Sequence, residues 1–146
     1  MDYSATIQTK TPPDMAARKI VDDLEHWWST RIDRRDTGFT IHFNASHVDF
    51  AFDPGATDGR FSWTCTAANM IIADVPDSDE WTGTRLIWEI RPSGTGSAIT
   101  LTHKGLTPQI ACFDVCRRGW EHFFESSLRN HLNGDAAQPE TSGAAA

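Results

Sequence analysis

The sequence predicts an α+β domain in which a curved antiparallel sheet of about six or seven strands wraps around one long C-terminal helix. Three observations carry this. Apolar residues recur with period two through most of the chain from Gly38 to Lys104. The alternating segments are joined by short, turn-rich links, which favour antiparallel pairing as a meander. A stripe at every fourth position, Cys112, Cys116, Trp120, Phe124, Leu128 and Leu132, needs an apolar surface to lie on.

The elements follow in the order β-α-(α)-β(5-6)-α. Tyr3, Ala5 and Ile7 alternate with Ser4, Thr6 and Gln8, so residues 3–9 read as a strand closed by Thr11-Pro12-Pro13. Pro13 suits the first turn of a helix, where its missing N–H would have no partner anyway. Ala17, Ile20, Val21, Leu24, Trp27 and Trp28 continue that helix to about residue 28. Phe39, Ile41 and Phe43, then Val48, Phe50 and Phe52, form a hairpin that turns at residues 44–46. Phe61, Trp63, Cys65 and Ala67 mark the next strand, with a weaker one expected over residues 70–75. After a polar turn at residues 76–83, Leu86, Trp88 and Ile90 share a face, as do Ile99, Leu101 and His103. The last helix spans about residues 110–132, roughly 30 Å at 1.5 Å per residue.

Composition bounds the rest. The 146 residues suit one domain, expected over residues 1–134, with a Gly, Ala and Pro-rich tail at 135–146 expected to be disordered. Twenty acidic residues against 13 Lys and Arg give a net charge of −7, with no basic cluster, which argues against a nucleic-acid partner. No apolar run approaches the length needed for membrane insertion, and the N-terminus lacks a signal-peptide layout, so a cytoplasmic protein is expected. Three cysteines do not build a disulfide framework, and reduced thiols are expected. Motifs for nucleotides, catalytic serines and zinc hydrolases are missing, so no cofactor and no metal are expected.

Several short motifs add a resemblance. They are Trp27-Trp28 closing the first helix, Asp79-Glu80-Trp81-Thr82-Gly83-Thr84 before a strand and Leu101-Thr102-His103-Lys104-Gly105-Leu106 after one. Cys112 to Cys116 leading to Trp120 and Ser127-Leu128 complete the set. Together with the order of elements they resemble the SRPBCC (START-like, helix-grip, Bet-v-like) superfamily across about residues 4–134. Within it, the chain is similar to the bacterial branch of activators of the heat shock protein 90 ATPase. The resemblance implies a cavity between sheet and helix that takes lipids, polyketides or other apolar molecules, although some members are cyclases, hydrolases or co-chaperones. It carries over no active-site residue, and a shared fold does not settle function.

The residues themselves offer these candidates. His103 continues an inward face, where it would contact a ligand or act as an acid or base, or else cap the strand by bonding a backbone carbonyl. Trp63, Trp88, Trp120 and Phe124 point to the same interior, as pocket lining or as core. Cys112 and Cys116 share a helix face and suit small buried packing better than a metal site, which wants more ligands. Asp74 shares a face with Met70 and Ile72 and is the one carboxylate whose phase directs it inward.

The leading expectation is therefore a binder of a small apolar molecule. Its ligand-binding residues would be Trp63, Trp88, His103, Trp120 and Phe124, around a void of roughly 300 Å³ or more. The alternatives are a cyclase- or hydrolase-like enzyme, its catalytic residues unassigned beyond His103 and Asp74, and a chaperone-binding module. Exposed sheet edges allow a homodimer.

Overall fold

The structure, a computed structural model, describes residues 1–141. In chain order its elements are β1 (Tyr3–Thr9), α1 (Pro13–Asp22), α2 (Leu24–Trp27), β2 (Arg31–Arg35), β3 (Gly38–Phe43), β4 (Ser46–Phe52), β5 (Arg60–Asn69), β6 (Arg85–Ser93) and β7 (Gly96–Lys104). The final helix comprises α3 (Phe113–His122), a π-helical segment (Phe123–Leu128) and α4 (Arg129–Leu132). The seven strands form one antiparallel sheet in the order β1-β7-β6-β5-β4-β3-β2. A register shift at Asp49/Phe50 interrupts the β4–β5 ladder. Such irregularities increase local twist and help a sheet to curl.

The alternating pattern buries the inner face as expected. Phe39, Ile41, Val48, Phe50, Trp63, Leu86, Trp88, Ile99 and Leu101 are all buried. So is every residue of the stripe from Cys112 to Leu132. A spacing of four drifts about 40° per step on an ideal helix, so six such positions cannot share one face without correction. The wider turns of the π-helical segment absorb part of that drift.

Three elements depart from the sequence reading. The first helix breaks at Asp23, whose φ of −106° and ψ of 25° end α1. Trp27 and Trp28, at the end of α2, are both buried. β2 carries no strand signal in the sequence: Arg-Ile-Asp-Arg-Arg has one apolar residue, as befits a charged edge strand. Residues 70–75 form no strand. Met70 N–H bonds the Ser78 carbonyl at 2.7 Å, Ile71 N–H bonds Ser46 Oγ at 2.7 Å, and Val75 N–H bonds the Ile72 carbonyl at 3.2 Å, so the chain folds back on itself. Asp74 sits exposed in that loop at a φ of 67° and does not point inward.

Beyond Gly134 the chain runs back along the final helix. Gln138 N–H donates to Ser127 Oγ at 2.9 Å, Glu140 N–H to the Trp28 carbonyl at 2.7 Å, and Thr30 N–H to the Glu140 carbonyl at 3.1 Å. Of the segment expected as a tail, residues 142–146 lie outside the described residues. Among the described residues, no helix is long and apolar enough to cross a membrane.

Candidate functional site

One end of the space between sheet and helix stays open. A cavity of about 280 Å³ lies between α3 and the loop that follows β5. Val115, Cys116, Gly119, Trp120 and Phe123 form its helical wall, and Met70, Ile71 and Ile72 face them from the loop. Trp28, Trp81 and Phe43 complete a mainly apolar lining, which also includes Asn44, Ser46 and Glu140. Gly119 adds space: a methyl group built there would meet no atom within 4 Å beyond its own helix. At the rim Ile71 is 61% exposed and Val115 40%.

The indoles of Trp81 and Trp120 lie nearly parallel, 13° apart with ring centres 6.0 Å apart, and Trp28 leans on Trp120 at 5.1 Å. Behind them stands His103, fully buried and edge-on to Trp81 at 4.6 Å. Trp120 Nε1 donates to His103 Nδ1 at 3.0 Å. On the other side of the ring, His103 Nε2 is 2.8 Å from Thr84 Oγ1, and that hydroxyl donates to the Trp81 carbonyl at 2.6 Å. The hydroxyl proton is thus committed to Trp81, so Nε2 must carry the imidazole proton and donate it to Thr84. His103 is neutral, with both nitrogens engaged. Burial among apolar groups holds its pKa at about 3, with only a weak opposing pull from Asp2.

Comparison with known proteins bears on the architecture. No protein-family profile matches the chain, and no characterised sequence matches it. Solved structures do. The Aha1 dimer from Colwellia psychrerythraea superimposes with a TM-score of 0.71 at 18% identity, covering 91% of this chain and 96% of that one. CalU16 from Micromonospora echinospora gives 0.63 at 16% identity, covering 93% and 76%. DynU16, from the dynemicin biosynthetic locus, gives 0.61 at 13% identity, covering 92% of this chain and 48% of that one. The chain has the helix-grip fold.

Within this helix-grip frame the residues singled out in the sequence divide. Trp120 lines the cavity. Trp63, Trp88 and Phe124 do not; they pack at the opposite end of the grip. There Trp63 lies 5.3 Å from Trp88, and Phe124 lies 5.8 Å from Trp88, ring centre to ring centre. His103 stands one layer behind the wall and touches the cavity only through Trp81 and Trp120. The core reading of these side chains thus describes their surroundings, with Trp120 alone of the five facing open space.

Trp28, Phe43, Met70, Ile71, Ile72, Trp81, Gly119 and Phe123 also line the cavity, beyond the residues that strand and helix phase single out. Two of them carried a signal. Trp81 is a single large aromatic in the polar run Asp79 to Thr84, and Gly119 is the one glycine inside the final amphipathic stripe. Met70 to Ile72 carried the opposite signal, since their apolar run mimics a strand. Among the described residues, no group of three or more His, Cys, Asp or Glu side chains is placed to hold a metal ion.

Proposed function

We propose that this protein binds a small, flat, apolar molecule in the cavity between α3 and the loop of residues 70–81. The reading is carried by one observation: a void of about 280 Å³ lined by aromatic and aliphatic side chains and entered past the exposed Ile71 and Val115. The volume lies at the small end of ligand sites, which suits a molecule of one or two fused rings rather than a long acyl chain. Stacking against the Trp81 and Trp120 indoles would orient it. A role in small-molecule metabolism is in keeping with a neighbour from the dynemicin biosynthetic locus.

The binding reading is preferred to an enzyme that works by proton transfer. A catalytic acid or base needs a pKa near the working pH and reach to the substrate. His103 has neither, because its ring is neutral, saturated and set behind the indoles. A homodimer, as in the Aha1 structure, is compatible with this site and not required by it.

The test pairs ligand screening with a cavity-filling variant. Naphthalene- and flavonoid-sized compounds near a hundred times their Kd should stabilise the wild type by about 2.7 kcal/mol, seen as a rise in Tm. Gly119→Leu, whose side chain would enter the void, should fold with an unchanged or higher Tm and lose that response. If no compound raises the wild-type Tm, or if Gly119→Leu responds equally, the cavity is not the binding site.

A further inference from the structure

Cys112 and Cys116 take no part in the ligand reading, yet their placement is unusual. Cys112 caps the start of α3 and Cys116 stands one turn on, so both sulfurs share a face. Their Sγ atoms are 2.9 Å apart, with the Cys116 thiol donating to Cys112. Trp81 Nε1 donates to Cys116 Sγ at 3.2 Å. Both residues are nearly buried, at 2% and 5% exposure, but Cys116 forms part of the cavity wall. A small neutral molecule entering the cavity therefore reaches a sulfur that bulky reagents in bulk solvent do not.

We propose that Cys112 and Cys116 form a reversible oxidation site, a dithiol that closes to an intramolecular disulfide when a hydroperoxide enters through the cavity. The peroxide passes Cys116 at the wall to reach Cys112, whose sulfur lies 2.9 Å from that of Cys116 and is not part of the cavity lining. In the first step the Cys112 sulfur attacks one peroxide oxygen and the O–O bond breaks. The other oxygen leaves as an alcohol or water with the thiol proton, and Cys112 becomes a sulfenic acid. In the second step the Cys116 sulfur attacks that sulfenic sulfur. The S–S bond forms, the S–O bond breaks, and hydroxide departs with the Cys116 proton as water. Two thiols and one hydroperoxide give a disulfide, an alcohol and water, with the peroxide reduced by two electrons.

The roles follow from the geometry. Cys112 accepts the hydrogen bond from its neighbour, which favours a thiolate there. The hydrogen bond from Cys116 draws the Cys112 thiol below the ordinary range, and the same contact together with burial pushes Cys116 up. Glu80 works against this in part, since its carboxylate takes the Ala111 and Cys112 N–H groups at 2.9 Å each. Cys65 is the internal contrast: buried on β5, it has no second sulfur, its thiol bonds the Ala67 carbonyl, and burial pushes it up to about 12.

Spacing makes the product labile. Residues four apart on a helix hold their Cβ atoms about 5–6 Å apart, whereas a relaxed disulfide wants about 3.8 Å. Closure must tighten the first turn of α3, and strained disulfides are the easily reduced, regulatory kind. It also draws Cys116 away from the Trp81 indole, so oxidation would reshape the cavity wall.

The experiment is stoichiometric hydrogen peroxide on the native, reduced chain, followed by alkylation and non-reducing peptide mapping. The expected product is a Cys112–Cys116 disulfide with loss of two hydrogens, reversed by a thiol reductant, while Cys65 reacts at least about tenfold more slowly. Cys116→Ser should stop at a Cys112 sulfenic acid that dimedone traps, and Cys112→Ser should slow oxidation at Cys116 by a similar factor. Oxidation of Cys65 at an equal rate, oxygen uptake without a disulfide, or reaction only after unfolding would each overturn the proposal. Because mass is the readout and no cavity ligand is used, failure here is distinguishable from failure of the binding reading.

Discussion

The two ends of the grip contain the same kinds of side chain and behave differently. At the closed end, Trp63 lies edge-on to Phe39 at 5.2 Å, Trp88 is met edge-on by Trp27 at 6.1 Å, and Phe124 closes the layer. Every ring there comes from a strand or a helix whose spacing is fixed, and the rings fill the volume. At the open end, Trp28, Trp81 and Trp120 face a loop and a glycine instead. Aromatic content does not decide whether such a fold holds a cavity; what stands opposite the rings does. Regular elements bring side chains to a set distance, whereas the loop of residues 70–84 is tied to the start of α3 through Glu80 and Trp81 and leaves Met70 to Ile72 across the cavity from the helix.

The largest expected difference is between adjacent phenylalanines. Phe124 is fully buried at the closed end, so Phe124→Ala should cost about 3–5 kcal/mol. Phe123 lines the cavity and is only partly buried, so Phe123→Ala, which enlarges a void already present, should cost about 1 kcal/mol. Urea unfolding of the two variants measures this directly. Equal costs would mean that the two ends are packed alike.

Next comes the acid limb of the stability curve. His103 stays neutral in the fold down to about pH 3, while in the unfolded chain it takes a proton below its ordinary value of 6.5. The unfolded state therefore binds more protons between those limits. Stability is complete above pH 6.5 and falls as the pH drops, by roughly 3 kcal/mol at pH 4 from this group. His103→Gln cannot take up that proton, and its curve should be flatter than the wild type's by that amount. Parallel curves would show that His103 is charged or exposed. As its bonds hold Trp120 and, through Thr84, Trp81, the variant should also weaken ligand binding at neutral pH.

A smaller effect tests the closed end again. Trp88 Nε1 is buried there without a hydrogen-bond partner among the described residues. Trp88→Phe loses volume but also removes an unsatisfied donor, and the two effects oppose. The net cost should be about 1 kcal/mol, well below the loss at Phe124 although the indole is larger. A loss above that at Phe124 would mean the indole N–H does have a partner.

Much of this architecture was legible because it follows from periodicity. Period two marked the inner faces of β3 through β7, and all six positions of the four-residue stripe on the last helix are buried, with Ser127 buried beside them. The parts that were not legible depend on contacts between distant segments. β2 has no pattern of its own and exists because β3 offers it an edge. Met70 to Ile72 read as a strand, since apolar side chains facing a cavity look in sequence like apolar side chains facing a core. The cavity shares that ambiguity. Strand phase told which rings point inward, but where space remains among them is set by the stand-off of a loop, which no local spacing records.

The smallest effect is the sharpest probe of the open end. Gly119 lies in the middle of α3, where glycine costs up to about 1 kcal/mol relative to alanine in backbone freedom. Elsewhere in a tight core that cost is often offset, because a methyl group would collide with a neighbour. Here it would meet nothing within 4 Å beyond its own helix. Gly119→Ala should therefore raise stability by about 0.5–1 kcal/mol, with the methyl group occupying a little of the void. The same substitution at a packed position would be neutral or destabilising, so the sign of the change reports whether the space is real. A gain in Tm with slightly weaker ligand binding would mean that this helix keeps a destabilising residue for the sake of the cavity. A loss in Tm would place the loop against α3 and remove the difference between the two ends.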